Sequence, residues 1–127
     1  MPTILICDDE PTLRELMRVS LGDGYAFAEA ADVAEAIELA NDVHPDLVLL
    51  DVMMPGMDGP ETLRRLADSP RTAAIPVVFI TARTQTHEVA EYRSMGAVGV
   101  IAKPFDPMTL AENVKRLLQN DARDRRP

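Results

Sequence analysis

Leu47-Val48-Leu49-Leu50-Asp51-Val52-Met53-Met54-Pro55-Gly56-Met57-Asp58-Gly59 is the stretch on which the fold turns. Four apolar residues, bounded by Pro45 and by the Pro55-Gly56 turn, predict a strand buried on both faces. Asp51 stands where the apolar run stops, at the carboxyl end of that strand. A carboxylate there either ends the strand and opens a turn or is chemically active. The neighbouring segments decide between the two.

Upstream, Thr3-Ile4-Leu5-Ile6-Cys7 is a second short apolar run, and it ends in Asp8-Asp9-Glu10. Three consecutive acids after a buried strand are costly unless positive charge sits among them. Pro11 suits a first helical turn, Leu13, Leu16, Met17 and Leu21 recur at helical spacing, and Gly22 closes that helix. Tyr25 to Ala30 reads as strand two. Asp32 with Glu35 is a capping-box pattern for a second helix, whose apolar face is Val33, Ala36, Ile37 and Ala40. His44-Pro45 stops that helix, because the right-handed helical region is disfavoured for a residue before proline.

Downstream, Pro60 starts a third helix with Leu63, Leu66 and Ala67 inward, and residues 68–75 form a polar connection. Strand four is Pro76 to Ile80, followed by Thr81-Ala82. A weaker helix covers about 86–95, with Val89, Tyr92 and Met95 on one side and Gly96 past its end. Strand five is Val98 to Ile101, followed by Ala102-Lys103-Pro104-Phe105. Asp106-Pro107 caps a fifth helix built on Leu110, Val114, Leu117 and Leu118. Five βα units predict an α/β fold: a doubly wound parallel five-stranded sheet with helices on both faces. Such sheets bind ligands beyond the carboxyl ends of their strands.

Bulk properties bound the answer. The 127 residues, 46% hydrophobic and 27% charged, describe one globular domain. We expect a domain over 1–119 and a C-terminal tail or linker stub over 120–127. No apolar run approaches the roughly 20 residues of a membrane span, and the N-terminus lacks a basic segment followed by a long apolar one. One cysteine, Cys7, cannot form an internal disulfide. These features lead us to expect a cytoplasmic protein with no membrane contact. A net charge of −8 argues against direct nucleic-acid binding by the domain's overall field.

Past the strand ends lie Asp8 and Asp9, Asp51, Thr81 and Lys103. If the strand order is 2-1-3-4-5, three carboxylates, a hydroxyl and an ammonium meet in one crevice. Clustered carboxylates repel one another and take up protons unless a cation relieves them, and oxygen-only ligands suit magnesium. A carboxylate beside such an ion, a lysine and a hydroxyl is arranged to attack phosphorus.

This constellation closely resembles the receiver domain of two-component response regulators, the chemotaxis-regulator-like family, over about residues 3 to 118. The matching residues are Asp8-Asp9, Asp51 with its MPGMDG loop, Thr81-Ala82 and Lys103-Pro104-Phe105. The strand order 2-1-3-4-5 belongs to that resemblance, since the chemotaxis regulator is itself the standard example of it. The resemblance implies that Asp51 accepts a phosphoryl group from a sensor histidine kinase or a histidine phosphotransfer protein. It implies that Asp9, Asp51 and the backbone carbonyl of Met53 hold Mg²⁺ or Mn²⁺ directly, with Asp8 acting through a metal-bound water. Thr81 would bond a phosphoryl oxygen, and Lys103 would pair with it across a cis bond to Pro104. The domain would catalyse its own phosphorylation and slow, metal-assisted dephosphorylation, and would signal through partners, with the face made by the fourth helix, fifth strand and fifth helix as a common meeting place.

Departures from the family pattern fall on the readout. Val100 stands three residues before the lysine, where many members carry a switching Tyr or Phe. The positions two past the acceptor and two past the threonine, which tune dephosphorylation, are Met53 and Arg83; Met53 cannot position a water, whereas Arg83 can screen or contact the phosphoryl group. Ala97-Val98-Gly99-Val100 replaces the acidic-aromatic sequence of winged-helix regulators, which favours a stand-alone receiver over a piece of a larger regulator or hybrid kinase. Two further readings stay open: a phosphorylation-independent adaptor, and a haloacid-dehalogenase-type phosphohydrolase, for which Met53 occupies the general acid's place. Cys7 reads as a small core residue, and Met53, Met54 and Met57 as loop positions or an adaptable contact surface.

Overall fold

A computed structural model describes residues 1–53, 59–82 and 84–124, with side chains described up to residue 119. The elements are β1 (Thr3–Cys7), α1 (Pro11–Leu21), β2 (Ala26–Ala30), α2 (Val33–Val43), β3 (Leu47–Asp51), α3 (Gly59–Asp68), β4 (Val77–Thr81), α4 (Thr86–Ser94), β5 (Gly99–Ala102) and α5 (Pro107–Asp124). The strands form one parallel sheet in the order β2-β1-β3-β4-β5.

Alternation along each strand divides the core into two layers. Leu5, Cys7, Val48, Leu50, Val77 and Phe79 pack beneath α2, α3 and α4. Ile4, Ile6, Leu47, Leu49, Val78, Ile80 and Ile101 pack beneath α1 and α5, against Met17, Leu21, Leu110 and Val114. A strand covered on both faces must be apolar at every position, which explains why β3 and β4 read as unbroken runs. The register then aligns the strand ends. Cys7 pairs with Leu50, Asp51 with Ile80, and Thr81 with Ala102, so the polar residues that follow the strands emerge at one level.

Several sequence expectations shift. Strand two begins at Ala26, and the Tyr25 ring packs on Phe27 at 6.3 Å. Strand five runs one residue later than expected, leaving Val98 outside it and 38% exposed. On α3, Ala67 is exposed and Thr62 is buried instead. The inward stripe is 59, 62, 63 and 66, and position 67 lies a further 100° round the helix. Leu16 is exposed because it lines an open groove of about 300 Å³ with Leu13, Lys103, Pro104 and Phe105. Met95 likewise borders a groove with Val52, Met53 and Tyr92. Tyr92 is the buried residue of α4, set edge-on against Phe79 at 5.2 Å. The connection after α3 is not merely polar: Thr72 is buried and its hydroxyl donates to the Leu66 carbonyl at 2.6 Å.

The helix ends largely follow the expected chemistry. Asp32 Oδ1 accepts from the Glu35 N–H, and Glu35 Oε1 reaches the N–H of Ala31. Asp106 Oδ1 accepts from the N–H of Met108 at 2.8 Å. His44 leaves α2 at φ 51° ahead of Pro45. The backbone of α5 stays helical through Asp124, past residue 120, where the expected tail begins.

Gly59 opens α3 hard against the end of β3, its N–H donating to the Val52 carbonyl at 2.9 Å. A Cβ added there would meet Val52 Cα at 2.9 Å, and backbone cannot retreat as a flexible side chain can. We expect Gly59→Ala to cost about 1–3 kcal/mol in a thermal melt. Gly24→Ala, which meets open space, is the control; equal melts for the two variants would refute the contact.

Candidate functional site

β1 delivers Asp8 just past its carboxyl end. Its side chain is fully buried. Oδ1 accepts from the Glu10 N–H at 2.9 Å, and Oδ2 faces Lys103 Nζ at 3.3 Å. The backbone of Asp8 is held as well: its N–H donates to the Ala30 carbonyl at 3.0 Å, and its own carbonyl accepts from an Arg14 terminal nitrogen at 2.7 Å. Asp9 follows with an exposed side chain.

Asp51 is the last residue of β3 and is 5% exposed. Its Oδ1 accepts from the Met53 N–H at 3.1 Å, and its Oδ2 faces the same Lys103 ammonium at 3.3 Å. Carboxylate oxygens of Asp8, Asp9 and Asp51 can all lie within 4.8 Å of one another. Thr81 ends β4 and is buried, and its carbonyl accepts the Lys103 N–H at 2.9 Å. That bond carries the chain from β5 towards the carboxylates. The Lys103–Pro104 peptide is cis.

Charge explains how the groups titrate. Burial pushes the Asp8 carboxyl above its ordinary range, and the neighbouring Asp51 adds to this. The Glu10 N–H and Lys103 pull the other way without cancelling it. Burial alone would lower the Lys103 ammonium, but Asp51 and Asp8 together raise it. Cys7, beneath them, is an inert thiol pushed far up by burial and then by Asp8 and Glu35.

Among the described residues, three carboxylates therefore gather around one ammonium, which pairs with two of them. The donor set is oxygen only, close-spaced and open to solvent on the Asp9 side, and one member, Asp8, resists ionisation first because it is buried and then because Asp51 is beside it. It fits a small hard divalent cation.

The structure thus brings Asp8, Asp9, Asp51, Thr81 and Lys103 to one end of the sheet. Ala82 lies exposed just past β4. Val100 is half-buried in β5 and packs on the layer under α2, α3 and α4. The Met53 side chain is 70% exposed. Arg83, the Pro55-Gly56 turn, Met54 and Met57 lie outside the described residues.

Sequence reasoning passed over a second charged group at the edge of this site. Arg14 Nε donates to Glu29 Oε1 at 3.0 Å, and Arg18 Nε lies 3.2 Å from Glu29 Oε2. The available signal was two arginines four apart on one helix and a single acid in strand two. Their meeting depends on how α1 packs across β1 onto β2.

Comparison with known proteins agrees with the fold. Residues 4–115 match the family model described as response regulator receiver domain. The chain is 40% identical over 121 residues to the DNA-binding response regulator MtrA of Mycolicibacterium smegmatis, covering 93% of this chain and 51% of that protein. It is 39% identical to the phosphate regulon transcriptional regulatory protein PhoB of Pseudomonas aeruginosa, covering 92% and 52%. The chain spans about half the length of these curated relatives. Among solved structures it resembles the chemotaxis response regulator CheY4 of Vibrio cholerae, at 31% identity and TM-score 0.86, covering 92% of this chain and 98% of that one. It also resembles the receiver domain of a histidine kinase from Syntrophus aciditrophicus, at 35% identity and TM-score 0.83, covering 94% and 92%.

Proposed function

This chain belongs to the response regulator receiver domain family, and we propose that it is a phosphorylation switch whose acceptor is Asp51. The observation that carries the reading is the Lys103 ammonium shared at 3.3 Å between Asp51 and the buried Asp8. An Asp51 oxygen attacks phosphorus in line, the new O–P bond forms, and the bond to the donor breaks with its electron pair leaving on the donor. For a phosphohistidine donor that pair returns to the ring nitrogen. The Met53 N–H holds one carboxylate oxygen and so orients the other. Lys103 is placed to meet the charge of the incoming phosphoryl oxygens, and the Thr81 hydroxyl at the end of β4 is the group to bond one of them. A Mg²⁺ or Mn²⁺ ion held by Asp8, Asp9, Asp51 and the Met53 carbonyl would supply the further positive charge that phosphoryl transfer needs.

The donor is then a sensor histidine kinase or a histidine phosphotransfer protein, and the site of action is cytoplasmic. Output passes to a partner by the face of α4, β5 and α5. Val100 offers no ring to rotate, so the readout rests on movement of backbone or of α4. The net charge of −8 argues against nucleic-acid binding through this domain's own field.

The test is intact mass after incubation with a small acyl phosphate. One adduct is expected with Mg²⁺ and none with a chelator. No adduct, or an equal adduct without the ion, overturns the proposal. A second reading, the receiver part of a longer regulator, is favoured by the matched relatives' being about twice as long. The intact mass of the protein isolated from its native cells separates the two.

A further inference from the structure

We propose that Arg14 is a positioning residue for the acidic site, one that sets the direction of Asp9 by holding the carbonyl of Asp8. The inference rests on the reading of Asp8, Asp9 and Asp51 as the cation-binding set.

β1 pairs with β2 as far as Cys7 opposite Ala30. The Asp8 N–H still finds the Ala30 carbonyl at 3.0 Å, but the Asp8 carbonyl lies beyond the paired residues. A buried carbonyl without a partner is costly. The Arg14 guanidinium takes it at 2.7 Å, a short charge-assisted bond. The peptide joining Asp8 to Asp9 is a rigid plane. With the Asp8 N–H, carboxylate and carbonyl all tied, that plane has one orientation, and the Cα of Asp9 goes with it. Among the described residues no side chain holds the Asp9 carboxylate, so its aim comes from its backbone.

Arg14 is itself held rigidly. Its Nε donates to Glu29 Oε1 at 3.0 Å, its side chain is only 16% exposed, and Glu29 sits in β2 opposite Ile6. The guanidinium thus bridges a sheet carboxylate and a site carbonyl with two nitrogens of one planar group. Lysine, a single point charge, cannot span both. Among the described residues, Arg18 meets the other oxygen of Glu29, at 3.2 Å, and not the Asp8 carbonyl, which makes it the internal control.

The experiment titrates the full chain with Mg²⁺ by calorimetry and records the Asp9 amide signal by ¹⁵N NMR in metal-free protein. Arg14→Ala and Arg14→Lys are expected to weaken Mg²⁺ binding by about 10-fold and to shift or broaden the Asp9 amide, while Arg18→Ala leaves both at the parent values. Thermal melts accompany each variant. Arg14 variants that melt lower yet bind Mg²⁺ and place the Asp9 amide like the parent overturn the proposal, and so does an Arg18→Ala variant equal in effect to Arg14→Ala. If the parent binds no Mg²⁺, the functional reading falls on its own, and the metal-free Asp9 signal still decides the role of Arg14.

Discussion

Asp51→Asn is expected to bring phosphoryl uptake down to background while leaving the fold intact. The amide has no anionic oxygen to attack phosphorus, and no described neighbour can take over. Asp8 is fully buried, with its oxygens bonded to Glu10 and Lys103, and Asp9 is not paired with the lysine. The substitution keeps size and keeps an acceptor for the Met53 N–H. Lys103 retains Asp8 as partner, so no buried charge is stranded and the melt should stay near that of the parent. Intact mass after exposure to an acyl phosphate and Mg²⁺ reads the first effect, and circular dichroism the second. An adduct on the variant equal to that of the parent would move the acceptor elsewhere and sink the assignment.

The second large effect is on cation binding. Asp8→Asn should weaken Mg²⁺ affinity by at least about 10-fold, and without metal it should be more stable than the parent at neutral pH. The sign follows from the raised Asp8 carboxyl. A group whose folded pKa lies above its unfolded value contributes stability that is full below the unfolded value and is lost as pH rises through the folded one. In the metal-free parent that loss begins in the ordinary carboxylate range and is complete once Asp8 ionises in its buried position. Asparagine carries no such charge, keeps an oxygen for the Glu10 N–H, and so removes this slope. Lys103, raised by the carboxylates, contributes stability that is lost only in the alkaline range, leaving the neutral window to Asp8. Mg²⁺ at about 100 times the parent's dissociation constant adds about 2.7 kcal/mol to the parent and about 1.4 kcal/mol to a variant that binds about 10-fold more weakly, so the ion shifts the balance back towards the parent by about 1.3 kcal/mol or more. Urea melts at acid and neutral pH, with and without Mg²⁺, check this. A variant less stable than the parent at neutral pH without metal would contradict it.

Much of the molecule was legible along the chain because the signals are local. Leu47 to Leu50 and Val77 to Ile80 needed no partner to be recognised as strands covered on both faces. Asp32 with Glu35 and Asp106 with Pro107 marked helix starts through bonds spanning three residues or fewer. The candidate site was legible for the same reason: Asp8, Asp51, Thr81 and Lys103 each stand where an apolar run ends. The errors were of helix rotation and strand offset. Leu16 and Met95 fit helical spacing, yet each borders a groove rather than the core, because neighbouring elements decide which part of an apolar stripe is covered. Ala67 lost its place to Thr62 by one step of rotation.

From the sequence alone came the five βα units, the common polarity of the strand ends and the identity of the candidate site side chains, since each is written within a few consecutive residues. The tertiary structure alone decided that one ammonium, Lys103, stands 3.3 Å from both Asp8 and Asp51. It alone decided that Arg14, reaching across to Glu29, closes on the Asp8 carbonyl. Those contacts join residues 95, 52, 15 and 6 positions apart. Strand register and helix rotation set such distances, and both are fixed only when the two apolar layers pack against the sheet.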